Sequence, residues 1–164
     1  MPLESKKRQV YGLVTWSAVC FFVAAMGAVA SSQADSFYAQ LERPYWAPPS
    51  WVFGPVWTIL YGLMAIAAWL VWLDRESRFV RVALFVFVLQ LIFNALWSWL
   101  FFRWRQGGLG FVDIVLLCGL IVVTLMRFWR IRPLAGALLV PYLLWVAFAA
   151  ALNYSVWKLN PSLL

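Results

Sequence analysis

The sequence predicts an all-α integral membrane protein, a bundle of five transmembrane helices with a structured first loop. Hydrophobic residues make up 65% of the 164-residue chain and charged residues only 12%, and the mean hydropathy is +0.84. Apolar runs of about 20 residues, the length that crosses ~30 Å of hydrocarbon as a helix, recur along the chain. The alternating pattern of a transmembrane β-barrel is absent. The outer surface is therefore expected to face lipid.

The five predicted spans form one transmembrane domain, residues 1–164. They are placed at about 10–30, 51–73, 80–102, 109–129 and 134–157. Only the first connection is long, and its second half contains Pro44, Pro48 and Pro49. Proline fixes φ and discourages helix at the residue before it, so this part is expected to be a stiff, extended cover.

The first span has an alternative interpretation as a cleaved signal peptide. Basic residues at 6–8 precede an apolar stretch that ends in an A-x-A pattern at 28–30. The stretch is longer than the ~7 to 15 residue core of a signal peptide, which favours retention as a span. Small residues also recur at i, i+3, i+4 and i+7, in Ala24, Gly27, Ala28 and Ser31. Such a stripe is typical of a helix that packs closely on its neighbours.

The basic residues predict the orientation. The side that holds the N-terminus, the second loop and the fourth loop carries Lys6, Lys7, Arg8, Arg75, Arg78, Arg81, Arg127, Arg130 and Arg132, whereas the other side has Arg43, Arg103, Arg105 and Lys158. In an energised membrane the N-terminus is therefore expected in the cytoplasm and the first loop outside. The net charge of +7 is interpreted as topology and lipid contact, not as a nucleic-acid surface. A bacterial inner or outer membrane and a mitochondrial-type outer membrane all stay open.

Several kinds of chemistry are not expected. The chain has no histidine, which removes a His-ligated haem, a Ser-His-Asp triad and a His-containing zinc site. Cys20 and Cys118 lie in the middle of different spans without C-x-x-C spacing, and are interpreted as small core residues. No Walker, Rossmann or zinc-deaminase pattern occurs. We therefore expect no metal site, no obligatory cofactor and no conventional hydrolase or redox activity.

Polar and aromatic side chains share faces on three spans. Gln90, Asn94, Trp97 and Phe101 fall at i, i+4, i+7 and i+11 on the third span. Similar alignments are Trp57, Tyr61 and Met64 on the second span, and Trp145, Ala149, Leu152, Asn153 and Val156 on the fifth. Polar groups at membrane depth need partners, so the third-span face indicates either a hydrogen-bond network between helices or the wall of a ligand cavity. A rigid cover above aromatic rings suits a large, planar, apolar ligand.

Asp113 is the only carboxylate within a predicted span. It falls early in the fourth span, where the helix dipole favours an anion and where Arg103 or Arg105 could pair with it. We expect a structural anchoring role for Asp113, against the alternative of a proton relay or gate.

Four segments together resemble the translocator protein family, also called tryptophan-rich sensory proteins (TspO) and, in animals, the peripheral benzodiazepine receptor. They are WAPPSWVFGPVWTILYG (46–62), LQLIFNALWSWLFF (89–102), GFVDIVLL (110–117) and PYLLWVAFAAALNYSVWKLN (141–160). The resemblance covers nearly the whole chain from about Phe37. It implies a five-helix membrane protein, commonly a homodimer, that binds porphyrins such as protoporphyrin IX and haem, sterols, and synthetic benzodiazepine-like ligands.

The resemblance also implies the site residues. The family's ligand pocket falls here on Tyr38, Trp46, Pro48, Pro49, Trp57, Asn94, Trp97, Phe111, Trp145, Ala149 and Leu152. Phe111 stands where some members have tryptophan. Leu152, Tyr154 and Lys158 fit the family's sterol-recognition segment, a pattern that is weak by itself. No catalytic residue is assigned, and Trp57 and Trp145 are the candidates for a photochemical role.

Three functions stay open from the sequence. A receptor or sensor of tetrapyrrole or stress status is favoured, and the alternatives are a carrier of porphyrin or cholesterol and a light-dependent porphyrin-degrading activity. No inverted repeat or pair of broken helices typical of alternating-access transporters is found, which argues against carriage. The homodimer follows from the resemblance alone, since no span contains G-x-x-x-G.

Overall fold

The structure, a computed structural model, describes residues 2–164, with side chains from residue 6 onward. The helices of this part are α1 Pro2–Ala30, α2 Ala34–Gln40, α3 Phe53–Trp72, α4 Arg78–Ser98, α5 Gly107–Ile131, α6 Pro133–Leu138 and α7 Val140–Leu159. Five helical stretches are long and apolar enough to cross a membrane: Lys6–Ala30, Ser50–Trp72, Arg78–Arg103, Gly107–Ile131 and Pro133–Leu159. The predicted all-α bundle of five transmembrane helices is thereby confirmed.

The helices differ from the predicted spans at several ends, since α1 begins at Pro2, α4 at Arg78 and α5 at Gly107, each before its predicted span. The second predicted span reached residue 73, one residue beyond the end of α3 at Trp72. The fifth span is interrupted at Leu139, between α6 and α7, because Pro141 has no N–H with which to continue the α6 hydrogen bonds. The first loop contains the short helix α2, which the sequence analysis did not predict.

The helices close into a ring. α1 packs against α3 and α4, α4 packs against α5, α5 packs against α7, and α6 packs back against α3. Large apolar side chains cover the outside of this ring, and Phe22, Phe85 and Leu144 are each more than 60% exposed. An outer surface of this kind is stable in lipid and would not be in water.

The α1 helix is fixed at the end of the bundle that holds the N-terminus. The Trp72 ring of α3 lies directly against Gly12, so a Cβ at this glycine would overlap the ring. The indole Nε1 of Trp69 donates a hydrogen bond to the Gln9 carbonyl, at 3.0 Å. The first half of α1 is therefore held close to the second half of α3.

A polar network ties three spans together at the centre of the bundle. The Tyr61 hydroxyl of α3 donates to Asn94 Oδ1 of α4 at 2.7 Å, and Asn94 Nδ2 donates to the Tyr142 hydroxyl of α7 at 2.8 Å. The Tyr142 hydroxyl donates in turn to Gln90 Oε1, at 2.7 Å. All four side chains are buried, as predicted for the amide face of the third span. Because lipid offers no hydrogen-bond partners, each of these bonds satisfies a group that would otherwise be costly.

The first loop is fastened as a cover at the opposite end of the bundle. The Asn160 side chain, just after α7, binds the backbone of Glu42: its Oδ1 accepts from the Glu42 N–H at 2.8 Å and its Nδ2 donates to the Glu42 carbonyl at 2.9 Å. The Tyr38 hydroxyl donates to the Pro48 carbonyl at 3.0 Å. The Trp46 ring rests edge-on against Phe148, with 5.7 Å between centroids.

An ion pair joins two loops at the N-terminal end of the bundle. Arg132 Nε lies 2.7 Å from Asp74 Oδ2 and Arg132 Nη2 lies 3.3 Å from Asp74 Oδ1. The hydrogen bond from Arg132 lowers the pKa of the Asp74 carboxyl, and the same bond raises the pKa of the Arg132 guanidinium. Both side chains are more than a third exposed, so the pair is expected to contribute less than about 1 kcal/mol.

We expect Tyr142→Phe to destabilise the bundle more than Tyr61→Phe. Loss of the Tyr142 hydroxyl leaves both Asn94 Nδ2 and Gln90 Oε1 unpaired, whereas loss of the Tyr61 hydroxyl leaves only Asn94 Oδ1 unpaired. The decrease in the free energy of unfolding should be about 2 kcal/mol for Tyr142→Phe and about 1 kcal/mol for Tyr61→Phe. Unfolding in a mixed-detergent titration measures both values. Tyr154→Phe, at an exposed tyrosine, is the matched control, and equal losses at Tyr61 and Tyr142 would contradict the network.

The Asp74–Arg132 pair predicts a pH dependence of stability. A lowered folded-state pKa means that the contribution of Asp74 is present above the ordinary carboxyl pKa of about 3.9 and is lost as the pH falls through the folded value. Asp74→Asn should therefore lower the free energy of unfolding by less than about 1 kcal/mol at neutral pH. At a pH below both the folded-state and the unfolded-state pKa of the Asp74 carboxyl, the substitution should have no effect. Thermal unfolding of wild type and variant across this range, in low and high salt, gives the difference. A difference that is constant with pH would exclude the ion pair as its cause, and Glu76→Gln in the same loop is the control.

Candidate ligand-binding cavity

A cavity of about 520 Å³ lies between α1, α3 and α4, with α2 at one end. Its volume falls in the range of ~300 to 1,000 Å³ that is typical of small-molecule sites. From α1 and α2 its wall takes Phe21, Ala24, Ala25, Gly27, Ala28, Ser31, Ala34, Asp35 and Tyr38. From α3, the turn before it, α4, and the short π-helix Trp99–Arg103 that follows α4, the wall takes Ser50, Phe53, Gly54, Trp57, Thr58, Tyr61, Asn94, Trp97, Ser98 and Phe102.

The small residues of α1 form one wall of this cavity. Ala24, Gly27, Ala28 and Ser31, the stripe predicted to pack closely on a neighbouring helix, all line it. Close packing is present at one point of the stripe, where a Cβ on Gly27 would come within 3.4 Å of Ser98 Oγ on α4. Elsewhere the short side chains leave space between α1 and the aromatic walls of α3 and α4. The stripe therefore serves both to seat α1 and to leave the cavity open.

The tryptophan rings of the cavity are held in place by other rings. Trp57 lies 5.8 Å from the Tyr61 ring and 6.2 Å from the Tyr142 ring, measured between centroids. Trp97 stacks on Phe101 at 5.7 Å with an interplanar angle of 17°, and its Nε1 donates to Asn153 Oδ1 at 3.0 Å. A ring packed in this way needs little reordering when a ligand arrives, which lowers the entropic cost of binding.

Asn94 belongs both to the polar network and to the cavity wall. The two interpretations of the third-span face, a network between helices and a cavity wall, are therefore both realised. The Asn94 oxygen already accepts from Tyr61, and its nitrogen already donates to Tyr142. A ligand thus meets an amide whose orientation is set by the protein.

The predicted pocket residues fall in different places. Tyr38, Trp57, Asn94 and Trp97 line the cavity. Trp145 lies behind Phe53, at 5.9 Å between centroids, and Trp46 lies on Phe148. Pro48 is bonded to the Tyr38 hydroxyl, Pro49 caps the turn that precedes α3, and Ala149 and Leu152 are buried in the core. Binding by any of these residues stays a prediction.

Phe111 lies in a separate aromatic cluster at the end of α7. Its ring is 5.2 Å from Tyr154 and stacks on Trp157 at 6.4 Å. The Lys158 ammonium lies over the Trp157 ring at 4.3 Å. Of the predicted sterol-recognition residues, Tyr154 and Lys158 are therefore on the outer surface, whereas Leu152 is buried.

Several lining residues were missed in the sequence analysis. Tyr61 was aligned with Trp57 at a spacing of four, and Ser98 and Phe102 continue the Asn94 face at the same spacing, so their periodicity could have identified them. The α1 stripe was noticed but assigned to packing. No pattern pointed to Asp35, because α2 itself was not predicted.

The expected ion pair of Asp113 is wrong. α5 begins at Gly107, so Asp113 is the seventh residue of the helix and lies beyond its first turn. Both carboxylate oxygens are buried and have no hydrogen-bond partner among the residues that the structure describes. Arg105 instead places its guanidinium over the Phe37 ring, at 4.9 Å from the centroid, and Arg103 is exposed.

Comparison with known proteins identifies the family. The TspO/MBR family matches residues 16–158. The chain is 40% identical to the tryptophan-rich protein TspO of Chlorobaculum tepidum over 94% of this chain and 99% of that protein. It is 42% identical to the translocator protein of Homo sapiens over 76% of this chain and 75% of that protein, and 35% identical to the tryptophan-rich sensory protein of Cereibacter sphaeroides over 88% and 92%. Family, helix number and apolar surface agree, and the chain is a multi-pass integral membrane protein that belongs to the TspO/MBR family.

Proposed function

We propose that this protein is a membrane receptor or sensor that binds planar, apolar ligands in the cavity between α1, α3 and α4. Porphyrins, namely protoporphyrin IX and haem, and sterol-like molecules are the proposed ligands, and their binding would regulate a tetrapyrrole or stress response. The observation that carries the proposal is the 520 Å³ cavity with rings on two walls and small residues on the third. The name of one relative, tryptophan-rich sensory protein, supports a sensor role.

The walls of the cavity favour a flat ligand. Trp57 and Phe53 line it from α3, Trp97 from α4, and Phe102 from the π-helix that follows α4. The small side chains of the α1 stripe form the third wall. A planar apolar body in this space buries both of its faces, at roughly 25 cal/mol for each Å² removed from water. Each well-oriented aromatic pair adds about 0.5–1.5 kcal/mol beyond burial.

Binding of a porphyrin here would depend on stacking and not on an axial histidine. The chain has no histidine, and neither Cys20 nor Cys118 lines the cavity. Metal-free protoporphyrin IX should therefore bind about as well as haem. A strong preference for the iron form would indicate ligation by another residue and would contradict stacking.

The Trp57 ring gives the sharpest test of the proposed site. Trp57→Phe keeps an aromatic face and should retain most of the affinity for protoporphyrin IX, whereas Trp57→Ala should lose roughly tenfold, about 1.4 kcal/mol. Quenching of intrinsic tryptophan fluorescence on titration with the porphyrin gives the dissociation constants. Trp104→Ala, at a tryptophan that is 52% exposed and outside the cavity, is the control. Equal affinities of wild type and Trp57→Ala would place the porphyrin elsewhere.

A light-dependent degradation of porphyrin is the second candidate, because Trp57 lines the cavity. Tryptophan is much easier to oxidise than phenylalanine, so Trp57→Phe separates the two functions. If the protein is only a receptor, illumination should bleach bound porphyrin equally in wild type and variant. Faster bleaching in wild type alone would favour the photochemical activity. Porphyrin trapped inside proteoliposomes tests the carrier, since only carriage makes its release depend on the protein.

A further inference from the structure

The cavity has a single charged side chain in its wall. Among the lining residues that the structure describes, only Asp35 has a side chain that is charged at neutral pH. Asp35 lies in the first turn of α2, at the end of the cavity that faces away from the core, and is exposed. No hydrogen bond or ion pair to its carboxylate is formed in the described part of the chain. The carboxylate is therefore available to a ligand.

Two guanidinium groups lie near α2, and neither forms an ion pair with Asp35 in the described part of the chain. Arg105 lies over Phe37, which is two residues from Asp35 and so about 200° around the helix, on its other side. Arg43 lies over the Tyr38 ring at 4.8 Å from the centroid. Neither arginine is in the cavity wall, and neither comes within 4.0 Å of a carboxylate oxygen of Asp35. The negative charge of Asp35 is thus not paired at the cavity.

Some hydroxyls of the wall are not free to donate a hydrogen bond to a ligand. The hydroxyls of Ser31 and Thr58 donate to the carbonyls of Gly27 and Gly54, at 2.8 and 2.9 Å. The Tyr61 hydroxyl donates to Asn94. Their protons are used within the protein, so these oxygens offer the cavity only acceptor lone pairs. Ser50 and Ser98 have hydroxyl protons to donate, but a neutral hydroxyl does not offset a full negative charge.

We infer that Asp35 adjusts affinity by charge: a flat apolar ligand with a positive charge or N–H donors at its α2 end binds more tightly than one with carboxylates there, and protoporphyrin IX still binds but its propionates are repelled at this end. The inference rests on the proposed function of the cavity as a site for flat apolar ligands. A cation at this end meets the carboxylate together with the Phe53 ring, a combination that suits an ammonium group. A carboxylate at the same end is repelled by the Asp35 carboxylate.

Three porphyrins with one ring system test the selection. They are protoporphyrin IX with its two propionates, its neutral dimethyl ester, and its diamide with two terminal ammonium groups. Dissociation constants are measured by tryptophan fluorescence in a non-ionic detergent, so that the surrounding lipid adds no charge. In wild type we expect the diammonium compound to bind roughly tenfold more tightly than the dicarboxylate, with the ester between them.

In the isosteric variant Asp35→Asn, the dissociation constants of the two charged compounds should become nearly equal. The affinity for the ester should stay within about twofold of wild type. Asp35→Lys should reverse the preference. Because Asp35 is exposed and makes no hydrogen bond, Asp35→Asn should unfold near the temperature of the wild type, whereas Asp35→Lys places a cation in the first turn of α2 and should unfold at a slightly lower temperature. Glu76→Gln, which removes an exposed carboxylate from the α3–α4 loop, should keep the wild-type ratio.

The two levels of the proposal fail in different ways. In one outcome the ester binds, but the ratio of the dissociation constants of the two charged compounds is the same in wild type, Asp35→Asn and Asp35→Lys. The cavity then binds flat ligands, and the role of Asp35 is overturned. If the ester binds to none of the proteins, the proposed function of the cavity fails, and the inference about Asp35 fails with it.

Discussion

The carboxamide of Asn94 is the interaction on which the arrangement of the bundle most depends. Its oxygen is bound by Tyr61 of α3 and its nitrogen binds Tyr142 of α7, so one side chain fixes the separation of three spans. Within a bilayer, apolar side chains gain little by leaving lipid for each other, and directional bonds therefore decide how the helices are placed. Since Asn94 also lines the cavity, the bond that sets the helix separation also sets the width of the site.

The α1 helix has a different role from the helices of the network. Its contacts near the N-terminus, Gly12 with Trp72 and Gln9 with Trp69, hold one end firmly on α3. Its other end carries the small stripe that faces the cavity. The polar network thus defines two walls with fixed rings, and α1 supplies a third wall that is held by packing. The half of α1 that lines the cavity forms no side-chain hydrogen bond to another helix among the described residues, so a ligand can displace it without leaving a buried polar group unpaired.

Much of this architecture could be predicted from the sequence, for physical reasons. The length of the apolar runs predicted the five spans, and the spacing of Gln90, Asn94 and Trp97 predicted which face of α4 is buried. Both predictions depend only on local helix geometry. The partners of those amides were not predictable. Tyr61 and Tyr142 lie 33 and 48 residues from Asn94, and their meeting depends on how whole helices are rotated and crossed.

The misjudged features have physical reasons of their own. The stripe on α1 has the same residues whether it adjoins a helix or a space, because small side chains permit both. The break at Leu139 had a visible cause in Pro141, but the apolar composition of the span concealed it. The partnerless Asp113 contradicts the rule that buried carboxylates are paired, and local sequence gives no warning of such an exception.

The bond between Asn160 and Glu42 has a consequence for biosynthesis. The two residues are 118 positions apart, and Asn160 follows the last span. A chain that inserts from its N-terminus therefore completes the cover segment long before its anchor has been made. Throughout insertion the cover has no partner at this point, and the aromatic walls stand open at one end. The Asn160–Glu42 bonds therefore cannot form before the last span has been made, and until then the cover is not fastened at this point.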